Sequence, residues 1–171
     1  MIRWLVIVLS VFVLAGCQKE HPTQKLPDPA PLVSSKRLAP EARVQGQLVY
    51  TPIYSSVYDR SHSNLVHLTA TLSIHNISPK KSIIVDLVDY YDTNGKFIRS
   101  FVDQPFQLGP LETRDFVIPA LDLQGGTGAN CLVEWEAPYP VAVPIIESVM
   151  ISADNQQGIS FVSRGKEIEP H

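Results

Sequence analysis

Residues 125 to 130, Gly-Gly-Thr-Gly-Ala-Asn, put three glycines within four positions, a composition that a phosphate-cradling loop also shows. Such a loop owes its affinity to the N-terminus of a following helix and usually to a lysine. Here an alternating run, Asn130 to Ala137, follows and no lysine does. Nucleotide chemistry is not expected, and the glycines read as a connection that needs backbone freedom. Metal chemistry is equally poorly served. His67 and His75 share one face of a strand, but eight residues at about 3.3 Å each hold them about 26 Å apart. His62 has no cysteine or clustered carboxylate with which to complete a ligand set beside His67. The run Asp92-Thr93-Asn94-Gly95 lacks the first and the twelfth oxygen ligand of a calcium loop and reads as a tight hairpin, because Asn-Gly fits its positive backbone angles.

Nucleophilic and acid-base chemistry leave few residues to consider. The stretch Gly158-Ile-Ser-Phe-Val is not a nucleophile elbow, because no second glycine and no helix follow its serine. Cys131 alternates with Val133 and Trp135 on the apolar side of its strand, where burial raises a thiol pKa and makes it inert. Asp86, Asp89 and Asp92 are spaced as solvent-facing carboxylates rather than as a buried pair with separated pKa values. An acid or base could then come only from loop carboxylates, Asp59, Asp122 or Asp154. That alternative, a hydrolase or transferase, requires a cleft holding a buried, pKa-raised carboxylate beside those loops. No catalytic set, metal or cofactor is expected from the residues themselves.

The elements that would position these groups are strands. In residues 65 to 76, Val66, Leu68, Ala70, Leu72 and Ile74 alternate with His67, Thr69, Thr71, Ser73 and His75, the pattern of a half-buried antiparallel strand. Residues 130 to 137 repeat it, with Trp135 expected between sheets. Further strands are read at 47 to 54, 82 to 91, 96 to 102, 113 to 119, 144 to 152 and 158 to 164, and the parity slip between Asp86 and Val88 calls for a β-bulge. About eight short strands separated by turn signals indicate an all-β, immunoglobulin-like antiparallel sandwich of about 7 to 8 strands, with a small β-barrel as the alternative. If the strands simply alternate in direction, the connections 55 to 64, 92 to 96, 119 to 128 and 153 to 157 meet at one end. The binding-loop residues read there are Asp92, Asn94, Gly95, Gly125, Gly126, Gly128, Asn130, Gln156, Gln157 and Gly158. Loops 77 to 82, 103 to 112 and 137 to 143 form the other end. Clustered loops on a sandwich are either a binding surface or only well-formed turns.

The first sixteen residues carry one charge, Arg3, and an apolar run too short for the roughly 20 residues of a permanent membrane span, the layout of an export signal. Leu14-Ala15-Gly16-Cys17 resembles the lipobox of bacterial lipoproteins. That resemblance implies cleavage before Cys17, acylation of its thiol and new amino terminus, and attachment to a membrane by several acyl chains. Gln18, rather than Asp, implies the outer membrane, facing the periplasm. Residues 17 to 44, with Pro22, Pro27, Pro29, Pro31 and Pro40, read as a lipidated tether, and residues 45 to 171 as one domain. Without the signal, 13 basic face 17 acidic residues, so nucleic acid is not an expected partner. With Cys17 spent on lipid, Cys131 has no disulfide partner.

Seven ordered blocks, "LSIHN", "DYYDTNGK", "LGPLETRDFV", "GGTGAN", "VEW", "VMI" and "QQGISFVSRG", resemble a family of bacterial exported lipoproteins known only as a domain of unknown function, over about residues 46 to 165. Against that family the chain departs at Cys131, where a large apolar residue is usual. The resemblance implies an exported or membrane-attached domain and assigns no activity. The functional expectation is a non-enzymatic binding or accessory module, recognising another envelope protein or a small ligand with one loop end; a purely structural envelope role is the remaining alternative.

Overall fold

The computed structural model describes residues 31–152 and 158–170. The export signal, Cys17, Gln18, the tether up to residue 30, Asp154, Gln156 and Gln157 lie outside the described residues. In chain order the strands are β1 (Val33–Ser34), β2 (Gln45–Pro52), β3 (Ser56–Asp59), β4 (Ser61–His67), β5 (Thr69–His75), β6 (Ile83–Tyr91), β7 (Phe97–Ser100), β8 (Phe106–Leu108), β9 (Thr113–Ile118), β10 (Asn130–Ala137), β11 (Ile145–Ser152), β12 (Ile159–Arg164) and β13 (Lys166–Pro170). Short 3₁₀ turns sit at Pro40–Ala42 and Gly126–Gly128. One sheet runs β1-β8-β6-β10-β2-β13 with β7 beside β6, a second runs β12-β11-β5-β9, and β3 pairs with β4 as a separate ribbon. Every pairing is antiparallel. Neither large sheet closes on itself, so the architecture is a β-sandwich and the barrel alternative is set aside.

Alternation explains the core. Cys131, Val133 and Trp135 of β10 are fully buried with Ala70, Leu72 and Ile74 of β5, Val85, Val88 and Tyr90 of β6, and Met150 of β11. Trp135 lies between the sheets, its indole N–H donating to Gln47 Oε1 at 3.3 Å. The bulge expected between Asp86 and Val88 is present. Glu134 pairs with Leu87 and Trp135 with Val85, so Asp86 is the extra residue.

Three local expectations are corrected. The run 65 to 76 is not one strand: it breaks at the fully buried Leu68, whose N–H donates to Ser55 O, and passes from the β3–β4 ribbon into the second sheet. The ribbon itself takes in most of the segment read as loop 55 to 64 and the first three residues of that run, and it is mostly exposed. At the hairpin 92 to 96 only Gly95 has a positive φ, +76°. The Asp92 carboxylate accepts from the N–H groups of Asn94 and Lys96, so the loop is held by that side chain rather than by paired positive angles at Asn-Gly.

The domain also begins before residue 45. β1 pairs with β8, Ser35 N–H donates to Pro105 O, and Val44 N–H donates to Ala137 O, so residues 33 to 44, read as tether, lie along the first sheet. The reason is electrostatic: Arg37 and Arg43 of this stretch pair with carboxylates of β10.

Candidate functional site

Hydrogen bonds join the loops at the first pole. Gly126 N–H donates to Ser55 Oγ at 2.8 Å while Ser55 N–H donates to Gly126 O at 3.1 Å. Thr93 binds the same loop from the hairpin: its N–H and its hydroxyl both donate to Gly125 O at 2.9 Å, and its hydroxyl accepts from Gly128 N–H at 2.9 Å. The connections 55 to 64, 92 to 96 and 119 to 128 therefore meet as strand alternation required. Ser152 and Ile159, which pair across the fourth connection, bring Gly158 to the end of β11–β12.

The glycines are used by the fold. A side chain at Gly125 would overlap the Tyr90 hydroxyl and stand 2.8 Å from Ala129 Cβ. Gly126 has φ +79°, and a Cβ there would stand 2.7 Å from Thr93 Oγ1. Burial pushes the Tyr90 phenol up to about 12, and the Arg99 guanidinium lies 5.1 Å from the ring centre. Gly125, Gly126 and Gly128 thus spend backbone groups on Ser55 and Thr93. Asp92, Asn94 and Gly95 form the neighbouring turn, and Asn130 begins β10 opposite Pro52 and Tyr91.

At the opposite pole Asn76 plays the corresponding part. Its amide donates to Lys81 O and Gly109 O, each at 2.8 Å, while Lys81 Nζ reaches Pro140 O at 2.8 Å. Loops 77 to 82, 103 to 112 and 137 to 143 are thereby stitched together.

The outer face of the first sheet holds a group that the sequence did not announce. Because Asp86 is the bulged residue, its carboxyl joins those of Glu134 and Glu136 on β10. Side-chain exposures are 2%, 13% and 0% respectively. Burial, and next the charge of Glu136, push the Asp86 carboxyl up to about 7; Arg37 opposes the rise and Glu134 adds to it. The reading of Asp86 as a solvent-facing carboxylate is therefore corrected: β10 supplies two acidic neighbours that spacing along β6 cannot reveal. Residues 33 to 44 cover this cluster. Arg37 pairs with Glu134 and lies 3.7 Å from Asp86, Arg43 Nε is 2.7 Å from Glu136 Oε2, and the Leu38 N–H donates to Glu136 Oε1.

The loop carboxylates are placed differently. Asp122 is held by Arg99 at 2.7 Å, and Asp59 is exposed next to Arg60. Two surface hollows, of about 180 and 250 Å³, are lined by other residues, the first around Gln47, Ile146 and Gly165 and the second around Leu32, Asp103 and Phe106. Both are smaller than the roughly 300 Å³ at which small-molecule pockets begin. His67 Nδ1 is 3.0 Å from Ser56 Oγ and His75 Nδ1 2.9 Å from Thr113 Oγ1, so the two imidazoles serve different strands. Among the described residues no group of three or more His, Cys, Asp or Glu is arranged to hold a metal ion. Cys131 is fully buried, and burial pushes its thiol up to about 12.

A crystal structure of Thermotoga maritima 1070 is similar at a TM-score of 0.46 and 8% identity, covering 70% of this chain and 92% of that one, a likeness too slight to carry an argument. No curated protein matches the chain. A family model described as "Protein of unknown function (DUF3124)" matches residues 46–168, which include both poles and the carboxylate cluster. The chain belongs to the DUF3124 family.

Proposed function

We propose that this protein is a lipoprotein anchored through Cys17 to a bacterial envelope membrane, the outer membrane by the identity of Gln18, and that it acts there as a non-enzymatic binding or accessory module. One observation carries the non-enzymatic part. The buried ionisable set of which an acid-base site would be built, Asp86, Glu134 and Glu136, is occupied by the chain's own Arg37, Leu38 N–H and Arg43. Substrate has no place against those carboxylates while residues 33 to 44 lie over them. The Leu14-Ala15-Gly16-Cys17 motif supports the anchor.

The partner is another envelope protein or a small ligand, met at the pole of Asn94 and Gly126. A photo-crosslinker at Asn94 in cells is expected to capture a discrete species that one at Lys80, on the opposite pole, does not. Equal capture from the two positions removes the loop pole as a binding surface. Anchoring is tested separately. Cys17→Ser is expected to abolish lipid labelling and leave unprocessed precursor, and a labelled, shortened amino terminus in that variant contradicts it.

A further inference from the structure

An antiparallel sheet that meets water on one side ordinarily turns polar side chains outward. The outer face of the second sheet departs from that pattern. Ala70, Leu72 and Ile74 of β5 and Met150 of β11 are fully buried, so the residues that alternate with them on the two strands point away from the core. Directly paired residues share a face. Val162, Val149, Thr71 and Val117 pair in succession across β12, β11, β5 and β9, a β-branched row that spans the sheet. Ile151 extends the row along β11. Val162, Val117 and Ile151 are 56%, 53% and 48% exposed, whereas residues 33 to 44 lie over the outer face of the first sheet.

The neighbouring row carries charge, and its two ends differ in sign. Arg164 on β12 pairs with Glu147 on β11, Glu147 with Ser73 on β5, and Ser73 with Asp115 on β9. The Arg164 Nε lies 3.7 Å from the Glu147 carboxylate, and the Ser73 hydroxyl donates to Asp115 at 2.5 Å. From edge to edge the row is therefore cation, anion, hydroxyl, anion. A two-fold axis between two such faces, parallel to the strands and above the line between β11 and β5, turns the row end for end. Arg164 then meets Asp115 of the second copy and Glu147 meets Ser73. By the same operation Val162 meets Val117, Val149 meets Thr71 and Ile151 meets Thr69. Each contact occurs twice, as a closed isologous pair requires. An axis across the strands would instead press the Glu147 carboxylate against Ile151, where nothing replaces its hydration.

We propose that the outer face of the second sheet is the interface of a homodimer, in which two copies pack β12, β11, β5 and β9 face to face about an axis parallel to the strands. Four strands about 4.8 Å apart and seven residues at about 3.4 Å each give a footprint of about 450 Å² on each copy, to which side-chain relief adds. That is the size of a small specific interface rather than of an obligate dimer. The valine row supplies the apolar centre. Arg164 and Asp115 lie at its two edges, where opposite charges fix register and orientation more than they add affinity. Because the axis runs along the strands, both copies point the same way and their loop poles stand side by side. The interface rests on the sheet alone and needs neither the anchor at Cys17 nor a ligand at the loop pole.

Cross-linking of full chains in the cells that make them tests this. Val117→Cys and Val162→Cys are expressed together on separate chains and treated with a short bifunctional thiol reagent. Mass spectrometry of the bridged peptides keeps links through Cys17 or Cys131 apart from those sought. A bridge from position 117 of one copy to position 162 of the other is expected, in large excess over the 162-to-162 bridge of Val162→Cys expressed alone. Arg164→Asp in both chains opposes like charges at the two edges and is expected to cut that yield about tenfold. Adding Asp115→Arg restores opposite signs and is expected to recover it, which a residue serving only its own sheet would not do. Three results overturn the inference: no bridge from 117 to 162, a 162-to-162 bridge of equal yield, or a charge reversal that Asp115→Arg fails to rescue. Bridges that join these positions to a different protein also overturn it, because the face then belongs to another partner. Should Arg164→Asp fold poorly, the bridging pattern of the two cysteine variants decides alone.

Discussion

The loop pole and the strapped face, where residues 33 to 44 lie over the outer side of the first sheet, each close one part of the sandwich, and they do so by different physics. At the loop pole Gly125, Gly126, Ser55, Thr93 and Tyr90 fit together through neutral hydrogen bonds and close contact. On the strapped face Asp86, Glu134 and Glu136 meet Arg37 and Arg43 across strands far apart in sequence. The loop pole has the composition of a site, and the backbone groups of its glycines are used by its own fold. The strapped face has the spacing of solvated surface and contains the buried charges. Composition draws attention to glycines, whereas a charge cluster is visible only after strands are paired. The two regions should also differ in response to pH: Asp86 holds its proton more firmly folded than unfolded, so its contribution is full below about pH 4 and lost as pH rises through about 7, while the loop pole, whose Tyr90 phenol is pushed up to about 12, has no such dependence in that range.

The largest expected effect breaks the strapped face. Arg43→Gln leaves the fully buried Glu136 without its closest cation, which is expected to cost about 3 kcal/mol at pH 8. The loss should shrink toward pH 5, where Asp86 is protonated and no longer adds its charge beside Glu136; urea denaturation at the two pH values measures both, and a pH-independent loss would remove the charge argument. Gly125→Ala breaks the loop pole instead. Its backbone is helical, so the cost is steric, expected at about 2 kcal/mol and equal at both pH values. Adding Tyr90→Phe, which removes the hydroxyl in the way, should recover part of it. A smaller loss, about 1 kcal/mol, is expected for Thr93→Val, which deletes the bonds to Gly125 and Gly128 while keeping the side-chain shape. A loss from Thr93→Val as large as that from Arg43→Gln would invert the ranking of the two regions.

What was legible in the sequence depends on the range of each signal. Alternation along one strand located β5, β6, β10 and β11 and placed Trp135 between sheets, because burial of one face is written in a single segment. The bulge was also legible, as a parity slip near Asp86, and so was the meeting of loops 55 to 64, 92 to 96 and 119 to 128, which needs only that strands reverse. The β3–β4 ribbon was not: Ser61, His62, Ser63 and Asn64 belong to a backbone-paired strand and leave no apolar period. The docking of residues 33 to 44 was hidden for a related reason. Prolines and polar residues there satisfy the composition of a linker, while Arg37 and Arg43 acquire their role only from Glu134 and Glu136, about a hundred positions later. Asp86 was misread because its spacing from Asp89 and Asp92 describes its own strand and says nothing of β10.

The Asp86 carboxyl, buried beside Glu134 and Glu136 beneath residues 33 to 44, can be observed through its own titration. Carboxyl carbon NMR of Asp86 across a pH series, assigned by the signal's loss in Asp86→Asn, measures this most directly. A midpoint near 7 is expected; a midpoint near the ordinary aspartate value of about 4 would contradict the buried setting beside Glu136 that the bulge at Asp86 creates.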